Sequence, residues 1–126
     1  MAVRVLLIED NDVFRKALEV LLALDADIEI AGSEPDGNEV VERCRELEPD
    51  VVLVDYRLPG IDGVQVTRLL REHAPGVAVV ALTAAAGERE VEALLEAGAV
   101  SCLGKDRPLD EIVDAVRVAA KPGSTG

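Results

Sequence analysis

The chain alternates between short runs that are apolar at every position and longer segments in which apolar residues recur every three to four positions. Continuous runs of Val, Leu and Ile are typical of strands buried on both faces of a parallel sheet, whereas the wider spacing is typical of helices with one apolar face. Strict alternation of the two patterns predicts an open α/β sheet with helices on both faces. The predicted strands are Val3–Ile8, Ile28–Ala31, Val51–Val54, Val77–Leu82 and Val100–Leu103.

The predicted helices are identified by their ends and by their apolar stripes. Asp36-x-x-Glu39 and Asp62-x-x-Gln65 fit the capping-box pattern of a helix start, and Gly98 stands where a helix-terminating glycine is common. His73 falls at the predicted end of the third helix, where the helix dipole favours a cation. The stripes are Phe14, Leu18, Leu21 and Leu22; Val40, Val41, Cys44 and Leu47; Val64, Val66, Leu69 and Leu70; Val91, Leu94 and Leu95; and Leu109, Ile112, Val113 and Val116.

The length of 126 residues suits one compact domain, which we expect over residues 1–120, with residues 121–126 as a flexible tail or the start of a linker. The formal net charge of −12 argues against direct nucleic-acid binding, because such binding depends on Lys and Arg that neutralise phosphates. Cys44 and Cys102 form no zinc-binding or redox motif. The apolar run at the N-terminus is too short to span a membrane, so we expect a cytoplasmic protein without membrane contact.

Four of the five apolar runs are succeeded by a residue that can bind a cation or an oxyanion. Glu9 and Asp10 come after the first run, Asp55 after the third, Thr83 after the fourth, and Lys105 just past the fifth. In open parallel sheets, ligands bind outside the carboxyl ends of the strands. Any one of these residues alone is more simply explained as a loop cap, but their joint placement at successive strand ends favours a shared site.

The residue types in this predicted site restrict its chemistry. Three carboxylates held close together repel one another unless a cation lies among them, and an all-oxygen ligand set suits Mg²⁺. The Thr83 hydroxyl and the Lys105 ammonium add hydrogen-bond donors for an oxyanion. Phosphoryl transfer onto a carboxylate needs such charge neutralisation and positioning, so this reaction is the favoured prediction.

Four stretches resemble the receiver domain of bacterial two-component response regulators, and the resemblance covers about residues 2–120. They are Val5–Asn11, Pro49–Gly63 with its Asp-x-x-x-Pro-Gly-x-Asp-Gly motif, Val79–Ala84 and Gly98–Asp106. The Lys105-Asp106 ending is most similar to the NarL/FixJ (LuxR-type) subfamily. The resemblance implies a flavodoxin-like (βα)5 fold, a doubly wound sheet with strand order 2-1-3-4-5.

The resemblance also implies the roles of the individual residues. Asp55 would accept a phosphoryl group from a sensor histidine kinase or a small phosphodonor, in a reaction that the domain itself catalyses without being a classical enzyme. The implied Mg²⁺ ligands are Glu9, Asp10, Asp55 and the backbone carbonyl of Arg57. The groups implied to bind the phosphoryl oxygens are Thr83, the Ala84 backbone and Lys105. Phosphorylation would then alter the face of the fourth and fifth helices, which would bind an output domain or a second receiver, with transcription regulation as the expected output.

Two departures from the family pattern leave alternatives open. Cys102 stands three residues before Lys105, where the family often has Tyr or Phe, and Asp106 follows the lysine where many members have Pro. The first departure motivates a phosphorylation-independent interaction module as the alternative function. A phosphatase of the haloacid dehalogenase type is disfavoured, because Arg57 stands where those enzymes have a second Asp.

Overall fold

The structure, a computed structural model, describes residues 2–84 and 87–121. Within these residues, five parallel strands alternate with five helices, and the strands lie in the order β2-β1-β3-β4-β5. The predicted α/β class and strand order are therefore confirmed. The elements are β1 (Val3–Ile8), α1 (Asp12–Ala23), β2 (Ile28–Glu34), α2 (Val40–Leu47), β3 (Val51–Asp55), α3 (Gly63–His73), β4 (Ala78–Thr83), α4 (Glu88–Ala97), β5 (Ser101–Gly104) and α5 (Leu109–Ala120).

The two faces of the sheet form separate cores with different helices. On one face α1 and α5 contribute fully buried residues such as Leu18 and Ile112, and on the other α2, α3 and α4 contribute Cys44, Leu70 and Leu94. Every residue of β3 and β4 is buried, because these central strands are covered on both faces. The two cores pack against both faces of the sheet and so position the residues at the strand ends.

The structure corrects the predicted end of the second strand. β2 continues to Glu34, beyond the predicted end at Ala31. It is an edge strand that pairs only with β1, so its last residues, which include Gly32 and Ser33, need not be apolar. The apolar pattern therefore ends before the hydrogen-bonded strand does.

The structure confirms one predicted helix start and contradicts the other. At α3, the Gln65 N–H donates to Asp62 and the Asp62 N–H donates to the Gln65 side chain, both at 2.9 Å, so this capping box is present. At α2, the Asp36 side chain instead accepts the N–H of Asn38 at 3.0 Å. The helix begins only at Val40, so the capping box predicted from Asp36 is wrong.

The remaining helix signals have mixed outcomes. Gly98 follows α4 with a φ of 122°, a conformation that favours glycine, and α3 ends at His73 as predicted. Leu95, predicted to lie on the apolar stripe of α4, is 46% exposed. In residues 2–84 and 87–121, none of the helices is long and apolar enough to cross a bilayer. The predicted tail, apart from Lys121, lies outside the described residues.

Candidate functional site

The carboxyl end of the sheet brings the predicted site residues together. Glu9 follows β1 directly, and Asp55 and Thr83 are the last residues of β3 and β4. Lys105 follows β5, where its backbone N–H donates to the carbonyl of Thr83 at 2.8 Å. The side chains of Glu9, Asp55 and Thr83 are buried, whereas Asp10 is exposed. The carboxyl end of the sheet thus combines two buried carboxyl groups with an exposed one.

Lys105 is the cation of this cluster. Its Nζ lies 2.6 Å from Glu9 Oε1 and 3.0 Å from Asp55 Oδ2. Carboxylate oxygens of Glu9, Asp10 and Asp55 all lie within 4.8 Å of one another. Two carboxylates therefore share the Lys105 ammonium, and a third carboxylate lies close to them.

Burial and charge shift the pKa values of two of these groups in the same direction. Burial raises the pKa of Glu9, and the nearby Asp55 carboxylate adds to this, against the lowering effect of Lys105 and the Asn11 N–H. Burial alone would lower the pKa of Lys105, but hydrogen bonds to Glu9 and Asp55 and the charges of both carboxylates raise it above its usual value. The raised pKa of Lys105 keeps its ammonium protonated at neutral pH.

Oxygen ligands with excess negative charge fit a hard divalent cation. The Glu9 and Asp55 carboxylates are buried. Lys105 contributes one positive charge to a cluster that holds these two carboxylates and that of Asp10. A cation such as Mg²⁺ among these oxygens would relieve their repulsion, and carboxylates are the ligands it prefers in proteins. The residues present therefore fit the predicted metal.

Sequence reasoning missed three neighbours that fix the site. The backbone N–H of Asn11 donates to Glu9 Oε2 at 3.0 Å, and Arg15 donates to the Glu9 carbonyl at 2.7 Å. The ring of Phe14 lies against the Lys105 ammonium, 4.7 Å from Nζ to the ring centroid. Asn11 is also the N-cap of α1, a role that its position before an apolar stripe signals. The Phe14 contact has no such signal, because the same residue also fits the core stripe.

The other predicted site residues lie around this cluster. Arg57 is exposed, and its N–H donates to Asp55 Oδ1 over a long 3.4 Å. Ala84 is exposed directly after β4. Cys102 lies in β5 opposite Ala81 of β4, half-buried against the core of α2, α3 and α4. A thiol therefore occupies this position of β5.

Comparison with known families decides what kind of domain this is. Residues 5–117 match the family described as the response regulator receiver domain. The chain belongs to this family. The receiver domain is also 38% identical over 119 residues to the transcriptional regulatory protein LiaR of Bacillus subtilis, and 39% identical over 117 residues to the response regulator GacA of Pseudomonas viridiflava.

The relatives place the receiver domain among regulators of the NarL/LuxR type, as predicted. The structure of the signal receiver domain of NarL from Mycobacterium tuberculosis superposes with a TM-score of 0.90 at 34% identity, and the match covers 94% of this chain and 96% of that one. The matches to LiaR and GacA cover 94% and 92% of this chain but only 56% and 54% of those proteins. The chain thus spans about half the length of these relatives. Receiver domains of this family act in two-component signal transduction.

Proposed function

We propose that the receiver domain accepts a phosphoryl group on Asp55. The observation that carries this proposal is the position of Asp55, buried at the end of β3, 3.0 Å from Lys105 and within the carboxylate cluster. A carboxylate oxygen of Asp55 attacks the phosphorus atom of the donor, a new P–O bond forms, and the bond from phosphorus to the leaving group breaks. With a phosphohistidine donor, the departing imidazole nitrogen keeps the bonding electron pair.

The proposed roles of the other residues follow from charge and position. Glu9, Asp10, Asp55 and the Arg57 carbonyl would hold Mg²⁺, which when bound would neutralise charge on the carboxylates and the phosphoryl oxygens. Lys105, the Thr83 hydroxyl and the Ala84 backbone would donate to the phosphoryl oxygens once these are attached. Lys105 already lies beside Asp55, so it needs little movement to meet the new charge.

The proposed partners are a sensor histidine kinase as phosphodonor and an output region that reads the switch. The face of α4, β5 and α5 is the proposed reading surface, because Val100 and Val118 are exposed there beside a groove of about 300 Å³. Its occupant would be an output domain or a second receiver. LiaR is named as a transcriptional regulatory protein, and we propose the same output here, with DNA contacts made outside this acidic chain. The cytoplasmic location stays a prediction.

Intact-mass measurement after incubation with acetyl phosphate and Mg²⁺ tests the assignment. The parent should gain one phosphoryl group and the Asp55→Asn variant none. Asp50→Asn is the matched control, because Asp50 lies at the opposite end of β3 and is exposed. Equal labelling of parent and Asp55→Asn would reject Asp55 as the acceptor. No labelling of the parent by either acetyl phosphate or a kinase would favour the phosphorylation-independent module that Cys102 motivates.

A further inference from the structure

Phe14 is the only phenylalanine in the chain, and it lies in the first turn of α1, beside the carboxylate cluster. The Lys105 ammonium lies over its ring, with Nζ 4.7 Å from the centroid. At this separation the negative face of an aromatic ring attracts a cation. The ring also packs against the core of α1 and α5, so packing fixes its position. A leucine at this place would fill the core but would not attract the ammonium.

The ring and the ammonium belong to one closed set of contacts. Glu9 Oε2 accepts the N–H of Asn11 at 3.0 Å, and the Asn11 side chain accepts the N–H of Phe14 at 2.9 Å. The Phe14 ring contacts Lys105, and Lys105 returns to Glu9 at 2.6 Å. The turn that holds the Glu9 carboxylate therefore also places the ring against the ammonium.

The ring contact differs from the two ion pairs of Lys105 in one respect. Those pairs depend on the charges of Glu9 and Asp55, and the Asp55 pair changes when a phosphoryl group is added there. The ring is neutral, so it attracts the ammonium whatever charge Asp55 carries. Lysine reaches the site on a flexible four-carbon chain, so a contact of constant strength restricts where its ammonium lies.

We propose that Phe14 is a positioning residue that holds the Lys105 ammonium in place for phosphoryl transfer to Asp55. The inference rests on the proposed function of the site. Phe14 acts through Lys105 and does not touch the reacting atoms. Positioning of a charged group before the reaction lowers the barrier, because the group need not be reoriented in the transition state.

The single phenylalanine permits a direct test. Biosynthetic replacement with 4-fluoro-, 3,5-difluoro- and 3,4,5-trifluorophenylalanine changes only position 14. Each fluorine withdraws electron density from the ring face and weakens its attraction for a cation, while the ring shape is nearly conserved. The phosphorylation rate with acetyl phosphate and Mg²⁺ should fall stepwise with fluorine number, to a total of about threefold to tenfold. Phe14→Leu should be at least as slow as the trifluoro protein. Urea unfolding should stay cooperative across the fluorinated series, which would show that the slower rates do not come from loss of the fold.

The same proteins give a readout that does not depend on phosphorylation. The monofluoro protein has one ¹⁹F resonance, which should shift in a Lys105→Met variant and stay in place in a Lys121→Met control. Equal phosphorylation rates across the fluorinated series would overturn the proposal, as would a ¹⁹F resonance that Lys105→Met leaves unmoved. A parent protein that is not phosphorylated would instead reject the proposed function, and the ¹⁹F comparison would still decide whether the ring and the ammonium are in contact.

Discussion

The strand β3 has an aspartate at each end, and the two aspartates have opposite surroundings. Asp50 precedes the strand, is exposed, and accepts the backbone N–H of Arg4 at 2.8 Å. Asp55 closes the strand, is 4% exposed, and shares Lys105 with Glu9. The same residue type thus has a structural role at the amino end of the sheet and the proposed chemical role at the carboxyl end. Burial and local charge balance make the difference.

Charges at the amino end are matched by nearby acceptors. The Arg4 guanidinium donates to the carbonyl of Leu47 at 2.7 and 3.1 Å and to the carboxylate of Glu29 at 3.1 Å. Arg117 at the end of α5 pairs with Asp25 after α1. At the carboxyl end, Lys105 pairs with Glu9 and Asp55, and the carboxylate of Asp10 lies close to both of these acids. The two arginines at the amino end are therefore paired with acceptors, whereas the carboxylates at the carboxyl end favour a further cation.

Removal of the Lys105 ammonium should have the largest effect on stability of the changes considered at the two ends of the sheet. Lys105→Met retains an unbranched apolar side chain but leaves the buried Glu9 and Asp55 without their ammonium. The free energy of unfolding in urea at pH 7, without divalent cations, should fall by about 2–3 kcal/mol, below the full cost of breaking a buried pair because Lys105 is partly exposed. Mg²⁺ should restore more stability to this variant than to the parent, since bound cations offset the lost charge.

Arg4→Met is the matched change at the other end. Its loss should be about 1 kcal/mol, because water can reach the partly exposed partners that Arg4 leaves, and Mg²⁺ should not restore it. Equal losses for the two variants, with no selective recovery in Mg²⁺, would contradict the picture of an overcharged carboxyl end.

Ionisation of a buried thiol tests how the amino end of the sheet responds to a new negative charge. Burial raises the pKa of the Cys44 thiol to about 11, and Cys44 lies one helical turn before Leu47, near the amino end. An unfolded thiol ionises near pH 8.5–9, so between that pH and 11 the unfolded state releases a proton that the folded state retains. The unfolding free energy is therefore unaffected by thiol ionisation below about pH 8, and it falls as the pH rises from there toward 11.

The measurement is the difference in unfolding free energy between the parent and Cys44→Ala at pH 8 and pH 10.5. The parent should lose about 2 kcal/mol relative to the variant between these two values. Cys102→Ala is the control, because burial also raises the pKa of Cys102 but this residue is less completely buried. An unchanged difference for Cys44→Ala would mean that a thiolate near the amino end finds a compensating cation.

The contrast between the two ends also explains how much could be predicted from the sequence. Glu9, Asp55, Thr83 and Lys105 were predictable, because strand ends of a parallel sheet converge whatever the side chains do. The contact of Phe14 with Lys105 was not, because it depends on side-chain directions across two elements distant in sequence. The predicted limits of β3 and β4, which are buried on both faces, lie within one residue of the observed ones. The predicted end of the edge strand β2 was wrong by more, because polar residues continue its hydrogen-bonded ladder to Glu34.

Asp10→Asn should change the unfolding free energy least, but whether it raises or lowers this free energy shows which role Asp10 has. Asp10 is exposed, and its carboxylate lies within 4.8 Å of those of Glu9 and Asp55. Asp10→Asn removes one of three like charges and leaves the contacts of Lys105 and Asn11 in place. Without divalent cations at pH 7, the free energy of unfolding should rise by about 0.5–1 kcal/mol, since water screens most of the repulsion at an exposed carboxylate.

The same chemical change at Asp50 supplies the reference. Asp50→Asn removes a charge that is exposed and accepts a backbone N–H, which the asparagine oxygen can still accept, so stability should stay within about 0.5 kcal/mol of the parent. In Mg²⁺ the parent should become more stable than Asp10→Asn, because the parent gains more unfolding free energy from the bound ion than the variant does. A carboxylate whose removal stabilises the ion-free protein and weakens its response to Mg²⁺ belongs to a site built for a cation. If Asp10→Asn is destabilising without Mg²⁺, Asp10 has a structural role like that of Asp50, and the two ends of the sheet differ only in burial.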